Sequence, residues 1–139
     1  MIPSIRLVAV GLSGVASFVL GFLWFAVLFR QPYLNGLGKT AEQLANGPSI
    51  LQASLLQLLG NLVMAYVLAW LIRHTGQQTV MGGLRVGALS WLGFIAAVIG
   101  PMYAFQAFSF QFFVITAGYP LVALLTMGAI LGWWNRSAG

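Results

Sequence analysis

The apolar residues of this chain fall into four long runs that are separated by polar segments. The runs cover residues 7–29, 50–72, 86–105 and 112–134, and no Lys, Arg, Asp, Glu or His lies inside any of them. A helix needs about 20 apolar residues to cross a bilayer, and each run supplies that length. Because the runs are continuous and do not alternate at every second residue, the pattern predicts four membrane-spanning helices and argues against a β-barrel.

The segments between the runs predict how the helices connect. Residues 30–49 form the longest connection, in which Thr40 and Gln43 have the spacing of a helix capping box and a Gly-Pro pair follows. We expect a short helical turn there, on the membrane surface. The last connection is short and uncharged, which predicts an antiparallel hairpin of the third and fourth helices. The expected fold is an all-α integral membrane protein, with one transmembrane domain over residues 1–139 folded as a four-helix transmembrane bundle.

A weak internal similarity raises the hypothesis that the bundle consists of two pseudo-repeated helical hairpins. Residues 21–24 and 100–103 both read glycine, two further residues and an aromatic residue, and a phenylalanine follows five residues later in each copy. In a parallel repeat, each half of the chain would form one hairpin in the same orientation. The alternative is chance similarity between two apolar sequences.

The composition narrows the class of protein and the chemistry that it can perform. Hydrophobic residues make up 60% of the 139 residues and charged residues 5%, against about 25% in soluble domains, which excludes a water-soluble or disordered chain. Glu42 is the one acidic residue, His74 is the one histidine, and cysteine is absent. Paired-carboxylate catalysis, disulfides and multi-histidine metal sites are therefore excluded within one chain. We expect no enzyme activity, no metal and no cofactor.

The basic residues predict an orientation in the membrane and not a nucleic-acid partner. Four of them lie on one side of the predicted bilayer, and Arg30 and Lys39 lie on the other. Cytoplasmic loops have the excess of Lys and Arg, so we expect a multi-pass protein of the cell inner membrane with both termini in the cytoplasm. The excess is small, and insertion in both orientations stays open as an alternative. The four residues of the first group are Arg6, Arg73, Arg85 and Arg136.

The second run contains the most informative polar residues. Ser54, Gln57 and Asn61 share one helical face. An unpaired amide in hydrocarbon costs a few kcal/mol, so these side chains must face protein or water. One interpretation is that they hold helices together by hydrogen bonds. The other is that they line a path for a small solute, an ion or a lipid headgroup.

Two aromatic residues complete the candidate site. Trp24 lies near the end of the first run, where it is either an interfacial anchor or one wall of a ligand site that faces the long loop. Tyr119 precedes Pro120, which removes a backbone donor and frees the carbonyl of Thr116. Pro101 has the same effect in the third run. Ordinary kinks are one explanation of these prolines, and a broken-helix binding site is the other.

Small residues form stripes that let helices approach closely, and close packing drives much of helix association in lipid. Either the stripes pack the helices of one chain together, or one of them forms a dimer interface. The stripes are Ala9, Ser13, Ser17 and Gly21 in the first run, Gly83, Gly87, Gly93, Ala96, Ala97 and Gly100 in or just before the third, and Gly128 and Gly132 in the fourth.

Residues 21–38 contain a motif that ends the first run. A glycine, two residues, a tryptophan and an aromatic residue are followed by a phenylalanine, an aromatic residue and a glycine before a polar loop. The motif resembles that of the domain of unknown function 1761 family, whose members look like small four-span bacterial membrane proteins. The resemblance implies the same layout here and no catalytic residue, since the activity of that family is unassigned. The motif residues are Gly21, Trp24, Phe25, Phe29, Tyr33 and Gly38.

These observations favour a small oligomeric transporter or channel-like protein for a small solute. The path past Ser54, Gln57 and Asn61 would run between protomers or hairpins, because four helices leave little room for an aqueous pore. The alternative is a structural or accessory protein that packs against lipid or a larger complex. The expected partners are membrane lipid and a second copy of the chain, and the small-molecule ligand is unknown.

We predict that a reporter active only in the cytoplasm gives a signal when it is fused to either terminus and none when it is inserted in residues 30–49. The physical reason is the four-to-two distribution of Lys and Arg across the membrane. Equal signals from reporters on both sides would contradict a single orientation.

Overall fold

The structure, a computed structural model, describes residues 5–137, with side chains through residue 134. Two helices contain π-helical stretches, in which the backbone bonds skip one residue more than in an α-helix. The elements in chain order are α1 (Leu7–Leu28, π-helical over Leu23–Leu28), α2 (Arg30–Leu37), α3 (Ala41–Ala45), α4 (Ile50–His74), α5 (Val80–Phe105, π-helical over Leu92–Ala96) and α6 (Phe110–Ser137).

Four of these helices, α1, α4, α5 and α6, are long and apolar enough to cross a membrane. No strand occurs among residues 5–137. The predicted all-α bundle of four spanning helices is confirmed, and the chain is a multi-pass membrane protein. Because each connection stays on one side of the bilayer, successive spans run in opposite directions.

Polar caps determine where the helices begin. The Thr40 hydroxyl accepts a hydrogen bond from the Gln43 N–H at 3.1 Å, while the Gln43 side chain accepts one from the Thr40 N–H at 2.9 Å. This is the predicted capping box, and it starts the short α3. Helix α5 begins at Val80 and not at residue 86, because the Thr79 hydroxyl caps it by accepting from the Gly82 N–H at 2.8 Å. The third span is therefore longer than its apolar run.

Helix α6 lies at the centre of the bundle and packs against the other three spans and α2. Its closest neighbour is α5. A Cβ on Gly83 would overlap the carbonyl of Gly128, and one on Gly87 would lie 2.6 Å from the Leu124 carbonyl oxygen. Gly132 approaches the Thr79 carbonyl in the same way. These glycines therefore pack the helices of one chain together, with backbone against backbone.

The stripe of α1 is also internal to the bundle. Ala9, Ser13, Ser17 and Gly21 are all buried, and α1 packs on both α4 and α6. The second half of α5 differs, because a Cβ on Gly93 or Gly100 would meet nothing within 4 Å. This part of α5 approaches α6 less closely than the first half does, although Tyr103 still stacks on Phe113 with ring centroids 4.6 Å apart.

We predict that Gly83→Ala lowers the free energy of unfolding by about 1–3 kcal/mol, since the added methyl group forces two backbones apart. Gly93→Ala, the matched control in the same helix, meets open space and is expected to leave it unchanged or raise it by up to about 1 kcal/mol, because alanine favours a helix over glycine. Reversible unfolding of the purified protein in mixed micelles measures both. Equal losses from the two variants would contradict the packing described for α5 and α6.

Candidate functional site

A buried group of polar atoms joins α1, α4 and α6 near the middle of the membrane. Asn61 lies near the midpoint of α4 and is 1% exposed, and Tyr119 of α6 is 4% exposed. Asn61 is buried because it continues the face that places Ala65 and Ala69 against the core. Both polar side chains therefore need partners inside the protein.

The partners form one chain of hydrogen bonds. The Gln57 amide nitrogen donates to the Asn61 Oδ1 at 2.8 Å, and the Asn61 Nδ2 donates to the Tyr119 hydroxyl at 3.0 Å. The Tyr119 hydroxyl in turn donates to the main-chain carbonyl of Ser17 at 2.7 Å. We call Asn61, Tyr119 and the Ser17 carbonyl the polar junction. It links three helices at distances typical of good hydrogen bonds.

The chemistry open to the polar junction is limited. An amide, a phenol and a backbone carbonyl offer no group that ionises near neutral pH, so the junction has no general acid or base for pH 7. Among the described residues no group of three His, Cys, Asp or Glu side chains could hold a metal ion. What the arrangement does provide is orientation, because each bond fixes one helix relative to another.

The residues of the predicted polar face of α4 differ in how far they are buried in the bundle. Asn61 is buried, Ser54 is half-buried, and Gln57 is exposed on the outer surface of the bundle. The hydrogen bond that Gln57 makes through its amide nitrogen is to its own helix. The structure thus brings Asn61 and Tyr119 together, with Gln57 beside them, and leaves Ser54 outside the junction.

Trp24 lies against α6 but makes no hydrogen bond to the polar junction. Its indole nitrogen donates to the Ile115 carbonyl at 2.8 Å, and its ring lies where a Cβ on Gly118 would be 3.1 Å away. Trp91 of α5 makes the equivalent bond to the Ala117 carbonyl at 2.7 Å. The two tryptophans thus attach α1 and α5 to the same turn of α6, the one that precedes Pro120.

Sequence reasoning missed Trp91. The predicted third run begins at residue 86, which puts Trp91 near its end, where a tryptophan is typical, whereas the structure extends the span to Val80 and puts Trp91 in its middle. An indole N–H at that depth needs an acceptor, and a proline-disturbed turn of a neighbouring helix offers carbonyls. The freed carbonyl was expected at Thr116, and the two indoles donate to the carbonyls on either side of it. The Thr116 hydroxyl bonds back to the Phe112 carbonyl of its own helix at 2.6 Å.

Aromatic rings fill the space between Trp24 and the start of α6. Phe25 contacts Tyr119 and Tyr33 edge to face, with ring centroids 5.5 and 4.9 Å apart, and Tyr33 stacks on Phe112 at 5.6 Å. Burial among these rings raises the pKa of Tyr33, which lies outside the spans, above its ordinary value. The rings hold α2 against α6. Trp24 itself contacts Phe29, with ring centroids 4.7 Å apart.

Two cavities lie elsewhere, between α4 and α5. Their volumes are about 380 and 350 Å³. Neither is lined by Ser54, Gln57, Asn61, Trp24 or Tyr119.

We predict that Tyr119→Phe lowers the free energy of unfolding by about 1–2 kcal/mol, because the Ser17 carbonyl loses its donor and Asn61 its acceptor. Tyr66→Phe is the control, since Tyr66 lies on α4 with its side chain 41% exposed. A double-mutant cycle of Tyr119→Phe with Asn61→Leu should give a coupling of about 0.6–1.7 kcal/mol. A Tyr119 variant as stable as the Tyr66 variant would show that the junction adds nothing to stability.

The comparisons with known proteins agree with the first-helix motif. Residues 8–132 match the family described as “Protein of unknown function (DUF1761)”. No curated protein and no solved structure matches the chain. The match extends over all four spanning helices and includes Gly21, Trp24 and the other motif residues. The chain is therefore a member of the DUF1761 family.

Proposed function

We propose that this protein is a non-conducting accessory protein of the membrane, which packs against lipid or a larger complex and has no catalytic activity of its own. The observation that supports this proposal is the closed state of the polar junction. Asn61 donates to Tyr119, and the Tyr119 hydroxyl donates to the Ser17 carbonyl, so this buried pair offers no free polar surface to a passing solute.

A path for a polar solute needs hydrogen-bonding groups that water or the solute can reach. The interior of this bundle has the opposite character. Asn61 is 1% exposed, and the core toward the Arg6 end of the bundle is mainly apolar, since Ala65, Leu68, Met127 and Leu131 are each 1% exposed or less. Ser13 is a buried polar residue in that half. We infer that side chains as buried as these leave no continuous polar lining through residues 5–134.

The distribution of charge supports the orientation that we propose. Arg6, Arg73 and Arg85 lie at one end of the bundle, and Arg30 and Lys39 lie at the other. The side chain of Arg136 lies outside the described residues. The positive-inside rule supports the proposal that the first end, with both termini, faces the cytoplasm. The proposal of a bacterial inner membrane rests on the family resemblance alone.

A second candidate function is the passage of a small solute between protomers, and Gln57 is the observation that favours it. Its side chain is exposed on α4 roughly 7 Å from the midpoint of that helix, at a depth that lies in hydrocarbon. One amide N–H is used in the bond to Asn61, and the amide oxygen has no bond to the described residues. A second copy of the chain could supply that partner, with Gln57 and Ser54 lining the space between two copies.

We predict that liposomes containing the purified protein show no more flux of small ions or uncharged solutes than protein-free liposomes. The physical reason is the closed polar junction. Gln57→Leu should leave this result unchanged and should alter the free energy of unfolding by less than about 1 kcal/mol.

The control is Gln111→Leu, which changes an exposed glutamine at the start of α6, near the membrane surface. Flux that depends on Gln57 and not on Gln111 would overturn the accessory role and establish the second candidate. Flux insensitive to both variants would overturn the accessory role as well, and would place the path elsewhere.

A further inference from the structure

Helices α4 and α5 diverge and leave a groove between them. The two cavities described above adjoin along this groove, since Leu71, Ser90 and Phe94 line both. Each has about the volume of a small-molecule site, which ranges over about 300–1,000 Å³. The groove exists because the glycines of α5 hold that helix against α6, while few residues of α4 and α5 touch.

The groove is apolar over most of its length. From Arg85 to Ile95 it follows α5 for about 15 Å, which equals about half of a hydrocarbon core 30 Å thick. It therefore runs from one membrane surface to the bilayer midplane. In its deeper part Ser90 is the one polar residue of the lining. The remaining deeper residues are Val63, Met64, Val67, Leu68, Leu71, Phe94, Ile95 and Leu124.

Its outer end is polar and positively charged. Arg85, Gln77 and Thr75 line the groove where it reaches the membrane surface. Arg85 is exposed, and within residues 5–134 neither its guanidinium nor the side-chain amide of Gln77 has a hydrogen bond. The one acid of the chain, Glu42, lies in α3 at the opposite end of the bundle. The guanidinium and the amide therefore remain available for an anionic ligand.

We propose that this groove binds an anionic phospholipid of the leaflet that faces Arg85. Its phosphate bonds the guanidinium and the Gln77 amide, and one acyl chain fills the groove down to Phe94 and Ile95. A guanidinium is a preferred donor to phosphate oxygens. The apolar length below Arg85 suits one acyl chain spanning one leaflet, which a free phosphate could not fill. The Thr75 hydroxyl already donates its hydrogen to the Leu71 carbonyl, so it is not a donor to the phosphate.

This inference goes beyond the proposed function and does not depend on it. A protein that conducts between protomers could hold the same lipid, because the groove shares no lining residue with the polar junction. Lipid binding and solute flux are measured separately, so the failure of one proposal leaves the other standing.

The experiment measures lipid binding to the full chain in neutral detergent by native mass spectrometry. The probes are phosphatidylglycerol and phosphatidylcholine with identical acyl chains. We expect phosphatidylglycerol to bind about fivefold more tightly than phosphatidylcholine, because one interfacial arginine favours a lipid of net negative charge by about that factor. Arg85→Gln should remove this preference, and Arg85→Lys should keep most of it. Arg73→Gln is the matched control, since Arg73 lies at the same end of the bundle and does not line the groove.

A second pair of variants tests the apolar part. Ser90→Phe fills the groove and should weaken the binding of both lipids by at least about fourfold, which corresponds to the lost burial of one methylene group of the acyl chain. Ala97→Phe is the control, because Ala97 is exposed on the same helix outside the groove.

Three results would overturn the proposal. The first is equal binding of the two lipids, or a preference that survives in Arg85→Gln. The second is full competition by glycerol phosphate at the lipid's own concentration, which would indicate a site for a free anion. The third is a dimer that Ser90→Phe dissociates while lipid binding stays unchanged, which would show that a second copy covers the groove.

Discussion

The backbone contact between α5 and α6 is the constraint on which the rest of the bundle depends. In lipid an apolar side chain gains little from leaving its surroundings, so close packing and hydrogen bonds must hold the helices together. Gly83, Gly87 and Gly128 let two backbones meet, which a Cβ at any of these positions would prevent. This contact makes α6 the central helix, brings Trp91 to the Ala117 carbonyl, and draws α5 away from α4.

The polar junction and the groove are two consequences of this arrangement. With α6 at the centre, Tyr119 reaches both α1 and α4, and one hydroxyl can serve the Ser17 carbonyl and the Asn61 amide at once. The junction satisfies its own atoms and therefore supports a structural role. The groove, in contrast, is left unsatisfied, because its apolar surface and the Arg85 guanidinium have no partner within the described residues. The surface available for recognition thus lies on the outside of the bundle.

Much of the fold was predictable from the sequence. Continuous apolar runs determine spanning helices whatever their neighbours, and the capping box at Thr40 and Gln43 works through contacts between residues three apart. The start of the third span was misplaced because Arg85 suggested a membrane boundary, whereas the Thr79 cap begins the helix earlier and leaves that arginine in its second turn. The DUF1761 membership was likewise visible in the motif that begins at Gly21.

The sequence by itself determined that the chain lies in a membrane, the number of spans and the absence of Lys, Arg, Asp, Glu and His from the four apolar runs, because these depend only on composition and on local order along the chain. Only the tertiary structure decided what each polar group faces. Asn61 and Gln57 are one helical turn apart and equally polar, yet one is buried against Tyr119 and the other is exposed. Helical spacing shows which residues share a face but not which neighbouring helix covers it. That choice follows from the glycine contacts between α5 and α6, which join residues about 45 positions apart in the chain.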